Sequence, residues 1–417
     1  MGCRDLELGS RGDVGLAYWQ RRVFIVAWVT YASFYLTRLN LSAVLPQIRA
    51  EFGYSKLALG LISSGFAVAY ALGEVANGVL VKRVGSRRLV STGLLASALV
   101  NLFFGFTDLF YAMVLLWALN GYFQSTGWPS MIQILAEWFP MKRIGGVTGL
   151  FGSCFLVGSI FSWLLAGFIT GNYGWRFTFW VPSLLVLLFI LLFHKGVRDR
   201  PESIGQTLGY QEVKGLSARA PRRASMVKVG VVAAAFTLNT FIRSGFTLWA
   251  PTFILETHGV PLGVATWAAS MLPLGGVLGS FAAGWVTDTY LASRRAPVAV
   301  TMLASLGLLL TLFYQASSMD WLTSLFLLAT AGFLLYGPHV LMVTTIPIDY
   351  ASKQGAGVLA GVIDGIAYIG VAFADSFTGW LVDAGGWDAA VTFWVASAFA
   401  AALLMLTLWR DRPVKKI

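Results

Sequence analysis

The sequence predicts an all-α membrane protein. Twelve transmembrane helices are expected in two pseudo-symmetric six-helix halves, with both termini cytoplasmic. Three observations predict this. The chain is 57% hydrophobic and only 12% charged over 417 residues, about half the charged share of an ordinary soluble domain. Its apolar runs are about 20 residues long, the length a helix needs to cross a bilayer. Its basic residues gather in alternate loops, and its glycines recur at a fixed offset between the halves.

The runs lie near 22–46, 57–81, 88–107, 109–136, 144–170 and 175–194, then near 227–254, 263–290, 297–316, 321–348, 355–382 and 389–410. They are numbered here as spans 1 to 12, the third, sixth and ninth being the plainest. Gly and Pro interrupt others, which a membrane helix tolerates when neighbours cover the opened backbone. Trp128-Pro129 is expected to bend span 4, and Gly337-Pro338 span 10. The start, "MGCRDLELGSRGDVG", is polar and of mixed charge. It lacks the basic-then-apolar order of a cleaved signal peptide, so span 1 is expected to act as an uncleaved signal-anchor.

A net charge of +11 is a value typical of nucleic-acid binders, but its distribution reads as membrane topology. Of the 30 Lys and Arg, 25 fall in one alternating set of loops. The other set holds only Arg49, Lys56 and Arg176; the remaining two, Arg38 and Arg243, lie inside spans. The positive-inside rule therefore places both termini and the basic 195–226 loop in the cytoplasm. That loop divides the chain into a half at 1–194, a linker at 195–226 and a half at 227–417.

The halves repeat. Shifted by 212 residues, Gly145, Gly149, Gly158, Gly167 and Gly174 fall on Gly357, Gly361, Gly370, Gly379 and Gly386, and Trp175 falls on Trp387. Close helix contact is the expected reason, because small residues let backbones approach. Earlier in the halves, Gly78 matches Gly284 and Arg38 matches Arg243.

A guanidinium does not shed its charge, and placing one at mid-membrane depth is costly. Two arginines equivalent under a pseudo-twofold axis would face one central cavity. There they would form a clamp for a carboxylate or phosphate, whose oxygens suit a planar fork of donors. The plainer alternative pairs each with an acid inside a span, and Glu74, Asp364 and Asp375 are available. Tyr31, Tyr35 and Arg38, spaced i, i+4 and i+7, would share one helix face. Other chemistry is thin. The two cysteines form no disulfide framework. His194, His258 and His339 lack metal-ligand spacing, there is no phosphate-binding loop of the ATPase type, and no cofactor is expected. No set of nucleophile, base and orienting group is visible, so no enzyme is expected.

The motifs "YASFYLTRLN", "NGYFQSTGWPS", "RSGFTLWAPTF", "YGP" and "AGVIDGIAYIG…GWLVDAGGWD" make the chain, over roughly 18–410, resemble the organophosphate:phosphate antiporters of the major facilitator superfamily. The resemblance implies alternating access and exchange of an organic phosphate for inorganic phosphate. It implies Arg38 and Arg243 as the phosphate-binding pair, and Tyr31, Tyr35, Tyr70, Trp128, Tyr336 and Tyr368 as aromatic lining of the substrate cavity. It also implies a multi-pass protein of a prokaryotic inner membrane, working as a monomer on a small organic anion. Departures bear on the substrate. Glu74 stands where the family often has lysine, and Phe155 where the glycerol-phosphate type has histidine. Asp364 replaces a small residue, and His339 follows the "YGP" motif. Glu74, Asp364 and His339 are thus candidates for proton coupling. In the gating loops, Lys82 stands in the Asp position of the usual Asp-Arg of the first half, with the Arg kept as Arg83, while the second half keeps its acid as Asp288. A proton-coupled symporter for an organic carboxylate and a transporter-like ligand sensor are the alternatives.

Overall fold

The computed structural model describes residues 4–205, 223–313, 319–346 and 355–411, which are helical with no strand among them. Seven of the helices are long and apolar enough to cross a membrane unaided. They cover spans 2, 5, 6, 7, 8 and 10, and one long element carries both spans 11 and 12. That element, Gly355–Leu406, bends at Gly385 and Gly386, where the backbone leaves the helical region. Spans 3 and 9 look plain in sequence but fall outside the seven. Ser86–Phe104 begins with two arginines, and Ala296–Thr311 is short.

Spans 1 and 4 are missing from that group because each is broken. Span 1 runs as Arg4–Phe34, a 3-10 turn at Tyr35–Thr37, and Asn40–Phe52. Span 4 runs as Phe110–Gln124 and Gly127–Trp138. The second break lies four residues before Pro129, whose ring crowds the carbonyl at that distance. The hydroxyls of Ser125 and Thr126 donate back to the carbonyls of Tyr122 and Phe123, each at 2.7 Å. Span 10 passes through Gly337-Pro338 as helix and then widens to a π turn at Leu341–Thr345.

The recurring glycines divide by location. Gly158 and Gly370 lie against Ala32 and Thr237, so each half repeats the same contact between its fifth and first spans. Gly167 and Gly379 meet the opposite half instead, at Gly263 with Trp267 and at Lys56. A Cβ at Gly174 or Gly386 would meet nothing within 4 Å. Their positive φ angles of 89° and 71° mark left-handed turns, so their recurrence reflects backbone conformation and not the close contact expected. Gly149 also faces open space. The surroundings of Gly145, Gly357 and Gly361 lie outside what is described.

The two halves close on each other at the end away from the basic loops. There Gly60 of span 2 lies against the backbone of Asp375 and Ser376, and Gly379 of span 11 against that of Lys56. Glu256, at the end of span 7, accepts from Lys56 at 2.6 Å, Arg49 at 3.2 Å and the Trp387 indole at 2.8 Å. The Leu57 amide donates to Asp383 at 2.8 Å. Among the described residues, the hydrogen bonds between the halves lie at this end or beside the central cavity, so this is the end at which the halves are held together. A separate cluster braces the closed end of the first half, where Arg176 bonds Glu51 and Asp108. Arg176, with Trp175, holds the Glu51 carboxyl below its usual range. The stability this adds is full above the unfolded carboxylate pKa and is lost as pH falls through the lowered one.

Two cations and an indole converge on Glu256, so Glu256→Gln should loosen the closed end. With Thr247→Cys in a cysteine-free background, labelling by an impermeant maleimide from that side should rise about threefold, the scale of losing one or two partly exposed ion pairs. Unchanged labelling would remove Glu256 from the closure.

Candidate substrate cavity

The site begins with the break in span 1. A 3-10 turn interrupts the α-helical ladder, and side chains from other spans bond carbonyls around it. Ser162 donates to Tyr35 O at 2.7 Å. Gln124 donates to Phe34 O at 3.0 Å. Asn120 and Asn101 donate to Thr37 O at 2.8 and 3.2 Å. Asn40, just past the turn, donates to Asn101 at 2.9 Å and to Thr178 O at 3.2 Å. These amides are all buried. Buried polar groups are tolerable when bonded, and here they are what allows a helix to break inside a membrane.

The break redirects Arg38. Beyond a 3-10 turn the i, i+4, i+7 face no longer holds, and Tyr31 and Arg38 part company. Arg38 donates from Nε to Gln124 Oε1 at 3.0 Å and from Nη1 to Tyr35 at 3.4 Å. Its guanidinium carbon lies 4.8 Å from the ring centroids of both Tyr35 and Tyr70, and 5.6 Å from that of Phe66. Such stacking stabilises a desolvated cation by about 2 kcal/mol.

A cavity of about 110 Å³ lies between the halves, with Arg38, Tyr35, Ser63 and Phe66 on one wall and Arg243, Thr247, Tyr368 and Asp375 on the other. On this measure a water needs roughly 10–15 Å³, so a small anion fits. The two arginines thus line one space. Tyr368 stacks on Tyr70 across the halves, with centroids 4.8 Å apart. Tyr336 lies near Arg243 and touches Phe155, 6.0 Å between rings. Tyr31 and Trp128 lie elsewhere: they pack on each other and on Phe151 in the core of the first half.

Asp375, named in sequence only as an acid available for pairing, is buried beside the cavity. Its carboxylate accepts from Ser63 of span 2 at 2.6 Å and from Ser244 of span 7. It thereby ties the halves together next to Arg243. His339 is half-buried, with its ring 4.9 Å from Phe236, 5.9 Å from Tyr336 and 6.4 Å from Phe155. Glu74 is half-buried one turn beyond Tyr70, and the Asp364 side chain lies outside the described residues. In the loops, Asp288 pairs with Arg295 at 2.6 Å, while Lys82 and Arg83 are exposed. The carboxylate the first half lacks there comes from Asp199, after span 6, which accepts from the Arg87 amide at 2.7 Å. The 212-residue shift brings Arg198-Asp199-Arg200-Pro201 onto Arg410-Asp411-Arg412-Pro413. Asp411 in turn bonds Lys228 at 2.7 Å.

Residues 23–374 match the family described as Major Facilitator Superfamily. The chain is 29% identical to the probable hexose phosphate transport protein of Chlamydia pneumoniae, over 94% of this chain and 91% of that one. It is 28% identical to the membrane sensor protein UhpC of Salmonella typhimurium, over 94% and 92%. Among solved structures, it is similar to a bacterial homolog of the human lysosomal transporter Spinster in an inward-facing, occupied conformation. The TM-score there is 0.72 at 15% identity, over 93% of this chain and 95% of that one.

The geometry makes Arg38 sensitive to shape as well as charge. Arg38→Lys keeps the cation but loses the fork and the bond to Gln124, and should lower anion uptake by tenfold or more, about the worth of a charge-assisted hydrogen bond. Near-normal uptake into liposomes would contradict a role in binding.

Proposed function

The chain belongs to the Major Facilitator Superfamily, a transporter family, and from that premise we propose that it is a secondary transporter exchanging an organic phosphate for inorganic phosphate. It is a multi-pass membrane protein and not an enzyme. One observation carries the proposal: Arg38 and Arg243, equivalents in the two halves, line the same cavity. Two fixed positive charges repel when the site is empty, and an oxyanion between them relieves this while accepting from both forks. The names of the relatives add hexose phosphate as the first class to try. Tyr35, Tyr70, Tyr336 and Tyr368 supply rings and hydroxyls around the anion.

The way the halves meet supports alternating access. The halves at 1–194 and 227–417, joined by the 195–226 linker, would rock about the cavity. Release of the Glu256 contacts and of the Ser63–Asp375 bond would open the closed end. In this reading Asp288 and Asp199 hold the loops of the basic end. The protein would act as a monomer, since one chain completes the site. A second reading, ligand sensing without transport, is favoured by the similarity to UhpC.

Counterflow decides between them. In liposomes loaded with labelled phosphate, external hexose phosphate should drive label release, and Glu74→Gln should leave the pH profile of exchange unchanged. Ligand-dependent thermal stabilisation without release would favour the sensor. Carboxylate uptake driven by a pH gradient, with no phosphate exchange, would mean that the arginines hold a carboxylate and that Glu74, Asp364 or His339 carries the proton.

A further inference from the structure

We propose that Gln124 is a positioning residue for the clamp: by occupying the Nε of Arg38 it turns the guanidinium so that the two Nη groups grip the anion end-on. The inference rests on the clamp reading above and adds how the fork is aimed. Arg38 has two usable edges, one formed by Nε with a terminal nitrogen and one by the two terminal nitrogens. Gln124 Oε1 takes Nε at 3.0 Å, which removes the first edge from service. Of the terminal nitrogens, Nη1 has only Tyr35 at 3.4 Å, and Nη2 is buried with no hydrogen-bond partner. A buried charged donor left unbonded is costly, and here it belongs to a residue lining the cavity. A ligand oxygen reaches it once the Tyr35, Tyr70 and Phe66 rings packed on the guanidinium give way.

The amide of Gln124 has only one orientation open to it. Its Nε2 donates to Phe34 O at 3.0 Å, to the Thr37 hydroxyl at 2.9 Å and to the Ser97 hydroxyl at 3.1 Å. Ser97 spends its own proton on Asn120 at 2.6 Å, so it accepts from Gln124. Flipping the amide would set an NH₂ against the guanidinium and its oxygen against the Phe34 carbonyl. The nitrogen side therefore fixes the oxygen on Arg38. The choice of residue type follows as well. A glutamate of the same size would also hold Nε, but it would neutralise the charge that attracts the substrate. Glutamine orients the fork and leaves it cationic.

The test uses the full chain in liposomes, with inorganic phosphate self-exchange as the probe. The variants are Gln124→Met, Gln124→Glu, Arg38→Lys and the double variant Gln124→Met with Arg38→Lys. Melting temperature is measured alongside, with and without phosphate. Both Gln124 variants should raise the KM for phosphate by about tenfold or more, with Vmax changed less. Gln124→Glu should be the worse of the two although it keeps an acceptor, because it cancels the charge. The double variant should bind phosphate no worse than Arg38→Lys alone, as expected for residues acting through one contact. A merely structural role predicts the reverse: lower melting temperatures with KM unchanged, Gln124→Glu the milder variant, and additive effects in the double. Either result would overturn the proposal. If the wild type neither exchanges phosphate nor is stabilised by it, the phosphate reading fails by itself. Succinate then replaces phosphate as the probe, and a succinate affinity indifferent to Gln124 would overturn the positioning role.

Discussion

Arg38 donates its Nε to the amide oxygen of Gln124, and much of the first half is built to keep that bond in place. The cation cannot deprotonate to lower its cost. The protein meets the cost with stacking from Tyr35 and Tyr70 and with a neutral acceptor. The acceptor is available because span 1 breaks at Tyr35–Thr37, and the break is tolerable because Asn101, Asn120, Ser162 and Gln124 take up the released carbonyls. Gln124 bonds both Arg38 and the Phe34 carbonyl at the break, so site geometry and helix stability are coupled here.

The second half solves the same problem differently. Arg243 sits in an unbroken helix, Arg223–His258, with Tyr336 and Thr247 near it. Beside it Asp375 accepts from Ser244 of its own half and Ser63 of the other. The pseudo-twofold axis thus relates two cations in unlike settings: one in a neutral amide network, the other next to a carboxylate that also joins the halves. An anion entering this space meets two attractive forks and one resident negative charge. The same Ser63–Asp375 bond lies on the path by which the halves would separate, so in the proposed cycle occupancy and opening would share residues.

Much of this architecture was legible in the sequence. Span length, loop charge and the glycine offsets led to a twelve-span fold, and two arginines at equivalent positions led to one cavity. The less legible part has a common cause. Periodicity assumes one helical pitch, so Tyr31, Tyr35 and Arg38 were read as one face. The 3-10 turn ends that face, and Tyr31 turns into the core with Trp128. Gln124 lay within the quoted "NGYFQSTGWPS" motif, but its partner is 86 residues away, and no local pattern names it. Asp375 and Asp199 likewise act through distant contacts. The repeat offset of 212 relates Asp199 to Asp411, but charged loop residues read first as topology.

The central claim is that both arginines hold one anion. It is tested most directly by an experimental structure of the protein with phosphate or a hexose phosphate bound. The account predicts an oxyanion between the halves, within hydrogen-bond distance of Arg38 Nη1 and Nη2 and of the Arg243 guanidinium. An anion bound by one arginine alone, or bound elsewhere with Arg38 and Arg243 paired to acids of the chain, would contradict it.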